Sequence, residues 1–307
     1  MKLPRALDRY PFDSPWIRSL VMRYGLAVWF AAHSLIAIGN SARDTTLLFF
    51  DARLYLMATR EWLDCGDPWS VQLAGNYFAA PPPSMLPLAP IAMLPIDTGV
   101  AVVAGAVLVA SVLTVRLLGL PWWWLFFPPL VQSALSANVQ SLLIPLILVP
   151  LGAVAALLKV YAVVPLILLR RWRALAIFAV LVAVTIPILP WATYIGEFPQ
   201  INSRLAEQTD DALPTLVLIA AVPFALVAMW IVGRERAAWL AVPALWPSQQ
   251  YYYGSLAMGA RSALAAAIVA FPIDGSGLIA LFVLAAVSWM QDEHRPTPPW
   301  RRASQTG

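Results

Sequence analysis

The chain has 307 residues, of which 61% are hydrophobic and only 12% charged, and its mean hydropathy is +0.73. Soluble domains carry about 25% charged residues, so the composition points to an integral membrane protein. It excludes a soluble nucleotide-binding enzyme, and no Gly-rich phosphate loop is found. The net charge of +4 sits mostly in the termini and short loops, where it reads as a topology signal and not a nucleic-acid footprint. A single cysteine, Cys65, excludes an internal disulfide, and two distant histidines, His33 and His294, exclude a His-rich metal site. Abundant Ala, Arg and Trp with very few Lys suggest a GC-rich bacterial genome.

Residues 1–23 carry Lys2, Arg5, Arg9, Arg18 and Arg23, which the positive-inside rule places in the cytoplasm. The first apolar run, Tyr24 to Asn40, lacks a small-residue cleavage site and is expected to stay as a span. His33, in mid-span, is expected to be a packed and hydrogen-bonded histidine.

Residues 41–80 form an expected outer loop, and Asp51 to Trp69 is its most polar part. Leu54, Met57, Ala58 and Glu61 recur at helical spacing, and Tyr55 lies one turn after Asp51. An amphipathic juxtamembrane helix is expected here, lying on the membrane and holding Asp51 at the water–lipid boundary. Gly66-Asp67-Pro68-Trp69 is a turn signal. Pro81-Pro82-Pro83 then sets an extended entry into an expected second span, Ser84 to Pro95. Ile96 to Gly99 reads as a tight cytoplasmic turn.

Val100 to Leu118 is the third expected span, with Arg116 snorkelling at its end or binding phosphate. Trp122, Trp123 and Trp124 form an interfacial cluster. Ser136 to Gln140 is a polar break at membrane depth, which must line a cavity or be wrapped in protein. Leu142 to Leu169 is interrupted by Pro145, Pro150, Gly152 and Pro165, and is read as two short or broken helices. Lys159 lies within it, a costly position that marks either a functional site or a structural partner for a buried acceptor.

Arg170-Arg171-Trp172-Arg173 reads as a cytoplasmic anchor. Ala174 to Trp191 is expected to return outward, and residues 192–212 to form a second outer loop with Glu197, Arg204, Glu207, Asp210 and Asp211. Leu213 to Val232 crosses inward. Trp239 to Trp246 leads out to Pro247-Ser248-Gln249-Gln250-Tyr251-Tyr252-Tyr253, an outer polar and aromatic segment with Arg261 behind it. Ser262 to Met290 breaks at Asp274–Gly277, and residues 291–307 are a basic tail. The expected fold is an all-α polytopic membrane protein: one transmembrane domain over 24–290, with about 9–11 spans and an outer juxtamembrane helix after the first.

The order of these features resembles the polyprenol-phosphate-mannose-dependent mannosyltransferases, glycosyltransferase family 87 of the GT-C superfamily. Asp51-Ala-Arg-Leu-Tyr55 is similar to the family's Asp and Tyr after the first span, and Gly66-Asp67-Pro68-Trp69 to its Gly-Asp-Pro-aromatic turn. Phe78 to Pro83, with Leu86 to Pro90 and Leu94-Pro95, resembles its Pro-rich second span. Asn138-Val-Gln140 resembles its polar break, and Leu158-Lys159 with Pro165 and Arg170-Arg171-Trp172 resembles its lysine-bearing span. The resemblance covers residues 24–255. Two positions depart from it: Ala80 stands where the family often has Tyr, and Tyr251 where it often has His.

The resemblance implies a GT-C-like bundle and an inverting sugar transfer from a polyprenyl-phosphate donor to a lipid-linked or glycan acceptor on the extracytoplasmic face of the bacterial plasma (inner) membrane. Asp51 would be the general base. Lys159, Arg204 and Arg261 are the candidate phosphate cations. Tyr55, Asp67, Tyr77, Asn138, Gln140, Gln250, Tyr251 and Tyr252 complete the candidate substrate site. No cofactor is expected; a divalent metal is left open, with no ligand set visible. Membrane lipids are the other expected partners, nucleic acid is not, and the oligomeric state is open. The rival readings are a polytopic transporter or lipid flippase, which shares broken helices and an intramembrane lysine, and a catalytically weakened relative serving as scaffold.

Overall fold

The structure is a computed structural model that describes residues 20–43, 45–207, 213–248 and 250–291. The chain is mostly helical. Among the described residues, helices α1 (Leu20–Arg43), α4 (Ile96–Leu118) and α11 (Thr215–Val232) contain the three stretches long and apolar enough to cross a membrane. At 1.5 Å per residue they are roughly 27 to 36 Å long, against a hydrocarbon core of about 30 Å. Their outer faces stay apolar: on α11, Leu216, Ile219, Phe224 and Leu226 are all more than half exposed. Large apolar side chains exposed in this density suit a lipid surround and not water.

Among the described residues these three stand against the nine to eleven spans expected; the rest of the apolar sequence lies in helices of 17 residues or fewer. Helices α2 (Phe50–Leu63) and α3 (Ala89–Ala92) flank a small hairpin, β1 (Gln72–Leu73) with β2 (Asn76–Tyr77). The hairpin corrects the purely helical expectation. Its two-residue turn, Ala74-Gly75, has φ of 45° and 83°, the positive pair that a tight antiparallel turn needs.

Helices α5 (Pro128–Leu135), α6 (Leu143–Leu148), α7 (Gly152–Leu158) and α8 (Val163–Leu168) have six to eight residues each. Val149 is extended before Pro150 and ends α6, because a residue preceding proline avoids helical ψ. The apolar run 142–169, expected as two broken helices, is therefore three, with a 3-10 turn between α7 and α8. Gly152 lets α7 pack closely: a Cβ there would lie 2.7 Å from the Leu166 side chain.

The later chain contains α9 (Trp172–Thr185), α10 (Trp191–Glu207), α12 (Arg234–Leu245), a ten-residue 3-10 segment Tyr251–Ala260, α13 (Ala263–Val269) and α14 (Ser276–Met290). Residues 192–207 are helix and not the expected loop; 208–212 lie outside the described residues. Trp191, Tyr194, Ile201 and Arg204 recur on the inward face of α10, a helical period that its charges disguised. The 3-10 segment is buried from Tyr253 to Met258 and packs on α5 and α12. The expected cytoplasmic segment up to residue 19, Gln249 and the tail from 292 also lie outside the described residues.

The segment after α2 corrects the expected topology. Arg60 on α2 donates to the carbonyls of Ala92, at 2.7 Å, and Leu94, at the end of α3. Arg53 pairs with Asp97 in the first turn of α4 at 2.7 Å. Residues 64–95 thus leave α2 and return to it. Ser84 to Pro95 does not cross as a span, and Ile96 to Gly99 is not a turn but the start of α4. The prolines are the physical reason. Pro81, Pro82, Pro83, Pro87, Pro90 and Pro95 lack the N–H donors that a continuous helix requires, so this stretch forms only a 3-10 turn and the four residues of α3.

Candidate functional site

The site begins where α2 meets α5. Phe49 has φ 57° and gives α2 no side-chain cap. Instead the Phe49 N–H donates to the Leu135 carbonyl at 2.8 Å, and the Asp51 N–H to the Ser136 carbonyl at 3.0 Å. Open donors of one helix thus meet the open acceptors of another. That junction fixes Asp51, half-buried in the first turn of α2, against the polar break after α5. A carboxylate in a helix's first turn is favoured by the macrodipole.

Tyr55 follows one turn later and is buried, its ring edge-on to Phe78 at 5.1 Å. Burial raises the pKa of its hydroxyl well above the usual tyrosine range, and the Asp51 charge adds to the shift. The hydroxyl stays protonated and remains a donor.

Lys159 arrives from the other side. It is extended, with φ −143° and ψ 111°, and ends α7. Its side chain is only 9% exposed. The Nζ lies 5.1 Å from the centre of the Tyr55 ring and 5.9 Å from that of Tyr252. Among the described residues it makes no hydrogen bond or ion pair. A desolvated cation over an aromatic face gains about 2 kcal/mol, less than the several kcal/mol that burying an ion costs. The ammonium is therefore left able to take an anion. Asp51 is close enough for its charge to act on Tyr55, Tyr161, Tyr252 and Tyr253, yet among the described residues it forms no ion pair with Lys159.

The polar break is wrapped in protein. Asn138 and Gln140 are fully buried. Ala137, at φ 49°, turns the chain so that the Asn138 N–H reaches the Ser133 carbonyl at 2.8 Å. Asn138 Oδ1 accepts from the Gln140 backbone at 2.9 Å. Gln140 Oε1 accepts from the Tyr161 hydroxyl, and Nε2 donates to Ser255 Oγ at 3.3 Å. Both ends of the Gln140 amide are thus engaged within the protein. Asn138 Nδ2 is buried and faces the Tyr252 hydroxyl; among the described residues it has no other partner.

Six of the sequence-derived candidates thus come together: Asp51, Tyr55, Asn138, Gln140, Lys159 and Tyr252. Three members of the group were missed in the sequence. Tyr161 and Tyr253 pack ring to ring at 4.8 Å, and Ser255 closes the network. Tyr161 lies two residues after Lys159, and Tyr253 ends the Tyr251–Tyr253 run, so proximity to marked residues was the available signal.

Asp67, Tyr77 and Arg204 form a separate clasp around Trp69, which is fully buried. Asp67 Oδ1 accepts from the Trp69 N–H at 3.0 Å. Arg204 donates to the Trp69 carbonyl at 3.2 Å, and its guanidinium stacks 4.3 Å from the Tyr77 ring. These contacts bind α10 to the hairpin. Arg116 stacks 5.5 Å from Trp122 at the end of α4, as a snorkelling arginine does.

The remaining candidates stand elsewhere. Tyr251 donates to the Ala270 carbonyl at 2.6 Å, with its ring toward His33. His33 packs between Trp29 and Tyr251, without the expected hydrogen bond among the described residues. Arg261 ends the 3-10 segment at φ 51°. Gln250 is half-buried before that segment. Among the described residues no three His, Cys, Asp or Glu side chains gather as a metal site.

Comparison with protein-family models, curated proteins and solved structures found no match.

Proposed function

We propose that the protein is a membrane glycosyltransferase that moves a sugar, mannose by the resemblance of its motifs, from a polyprenyl-phosphate donor to a lipid-linked or glycan acceptor on the extracytoplasmic face of the plasma membrane. The observation that carries this reading is that Asp51 and Lys159, opposite charges beside one group of tyrosines, form no ion pair with each other among the described residues.

The reaction asks for these two charges. Asp51 takes the proton of the acceptor hydroxyl as its oxygen bonds to the anomeric carbon. The bond from that carbon to the phosphate oxygen breaks, its electron pair leaves with the phosphate, and the configuration inverts. Lys159 offsets the charge that develops on the leaving phosphate. Were the pair joined in a salt bridge, neither charge would be available.

The test is transfer from labelled polyprenyl-phosphate mannose in membranes holding the full chain. Asp51→Asn is expected to lower the rate at least a hundredfold, the range for loss of a general base, while donor binding persists. Undiminished transfer by Asp51→Asn would reject the reading.

A further inference from the structure

One charged patch takes no part in the site around Lys159. It lies at the turn from α8 to α9, where Arg170, Arg171 and Arg173 fall within four residues around Trp172. All four side chains are exposed. Among the described residues the three guanidiniums make no hydrogen bond or ion pair. The backbone fixes the turn. The Arg170 N–H donates to the Ile167 carbonyl at 2.9 Å and the Arg171 N–H to the Leu166 carbonyl at 2.8 Å, the paired bonds that close a helix end. Arg170 has φ 56° there, so an arginine stands where glycine would fit with less strain.

No acid close by answers this charge. The sequence has no Asp or Glu between Asp97 and Glu197, so α7 and α8, which pack on α9, bring none. Tyr161, just before α8, packs on Trp246, just after α12, at 5.3 Å, and the two helices lie against each other. They therefore run in opposite directions, and the start of α12 lies toward the same end of the bundle. Its first turn, Arg234-Glu235-Arg236, adds two cations and one acid.

The surface beside the arginines is apolar. Arg173 heads a helical stripe with Ile177, Val180 and Val184 along α9. These three, and Trp172, are more than half exposed. From Arg173 to Val184 the stripe runs roughly 16 Å at 1.5 Å per residue, about the depth of one leaflet of a ~30 Å hydrocarbon core. A free anion would use the cations and leave the stripe bare. A zwitterionic lipid would bring a cation that the arginines repel.

We propose that the corner between α8 and α9 binds an anionic phospholipid, its phosphate held by Arg170, Arg171 and Arg173 and one acyl chain lying along Ile177, Val180 and Val184. Guanidinium groups bond phosphate oxygens in pairs, and Trp172 takes the head-group level beside them. The site uses no residue of the proposed sugar transfer, so each reading can fail without the other.

The experiment places the full chain in phosphatidylcholine nanodiscs with increasing fractions of phosphatidylglycerol that carries a diazirine on its acyl chain. Crosslinks to residues 174–188 are quantified by mass spectrometry. Saturable labelling is expected. Arg170→Gln, Arg171→Gln and Arg173→Gln should each weaken it about fivefold, and the triple change about a hundredfold, the range for basic residues at an anionic lipid surface. The single variants keep the test open should the triple variant fold poorly. Arg116→Gln, which removes an exposed cation from the end of α4, should leave labelling unchanged. Inorganic phosphate should not compete. Labelling undiminished in all three single variants, an equal loss in Arg116→Gln, equal labelling by a diazirine-bearing phosphatidylcholine, or displacement by inorganic phosphate would overturn the proposal.

Discussion

Lys159 Nζ stands 5.1 Å from the centre of the Tyr55 ring, so the lysine that interrupts an apolar run rests on the helix that bears Asp51. The contact joins elements about a hundred residues apart. It makes the ring itself part of the cation's environment.

Replacing that ring separates its face from its hydroxyl. Tyr55→Phe keeps the face over Lys159 and should leave the KM for polyprenyl-phosphate mannose within about twofold. Tyr55→Leu removes the cation–π contact and should raise it about tenfold, in line with the roughly 1–2 kcal/mol such a contact supplies. Steady-state transfer measured on both variants decides the matter; equal KM values would mean that the ring does not hold the lysine.

The Gln140–Tyr161 bond should be a stability element. Tyr161→Phe leaves Gln140 Oε1 buried without its donor and is expected to cost about 1–3 kcal/mol. The double variant Tyr161→Phe, Gln140→Leu removes both partners, so its loss should fall short of the sum of the single losses. Thermal unfolding of the purified variants followed by tryptophan fluorescence measures this, and strict additivity would show that the two groups do not interact.

The return of residues 64–95 onto α2 makes a topological prediction. Cys65 is exposed and is the chain's only cysteine. A membrane-impermeant maleimide should label Cys65 and, in a Cys65→Ser background, Asp97→Cys from the same face of intact cells. Labelling of the two positions from opposite faces would restore a crossing segment between them.

Close packing of α14 on α12 depends on Gly277. A Cβ at this position would lie 2.1 Å from the Pro243 carbonyl oxygen, backbone that cannot swing aside. Gly277→Ala should therefore destabilise the fold by about 1–3 kcal/mol. A melting temperature equal to that of the parent would show that the helices separate at little cost.

The sequence shows some of this site and hides the rest for identifiable reasons. Asp51, Tyr55, Asn138, Gln140 and Lys159 stand out because polar groups in apolar sequence are costly and need a reason. Tyr161 does not stand out, because an aromatic among apolar residues reads as ordinary packing. Arg204 was legible as a cation, but only its stacking on Tyr77 and its bond to the Trp69 carbonyl show that it clasps the outer segment. Residues 192–207 read as loop because charge outweighed period.

Composition and hydropathy by themselves determined a helical membrane protein, with α1, α4 and α11 as its long apolar helices, because hydrocarbon leaves a continuous apolar run little choice but to satisfy its backbone internally. Only the tertiary structure decided that Ser84 to Pro95 turns back, and that α2 and the end of α7 meet over one ring. Those outcomes rest on Arg60 and Arg53 finding acceptors far along the chain, and on short helices ending where prolines and extended residues break them. No local pattern encodes a distant partner.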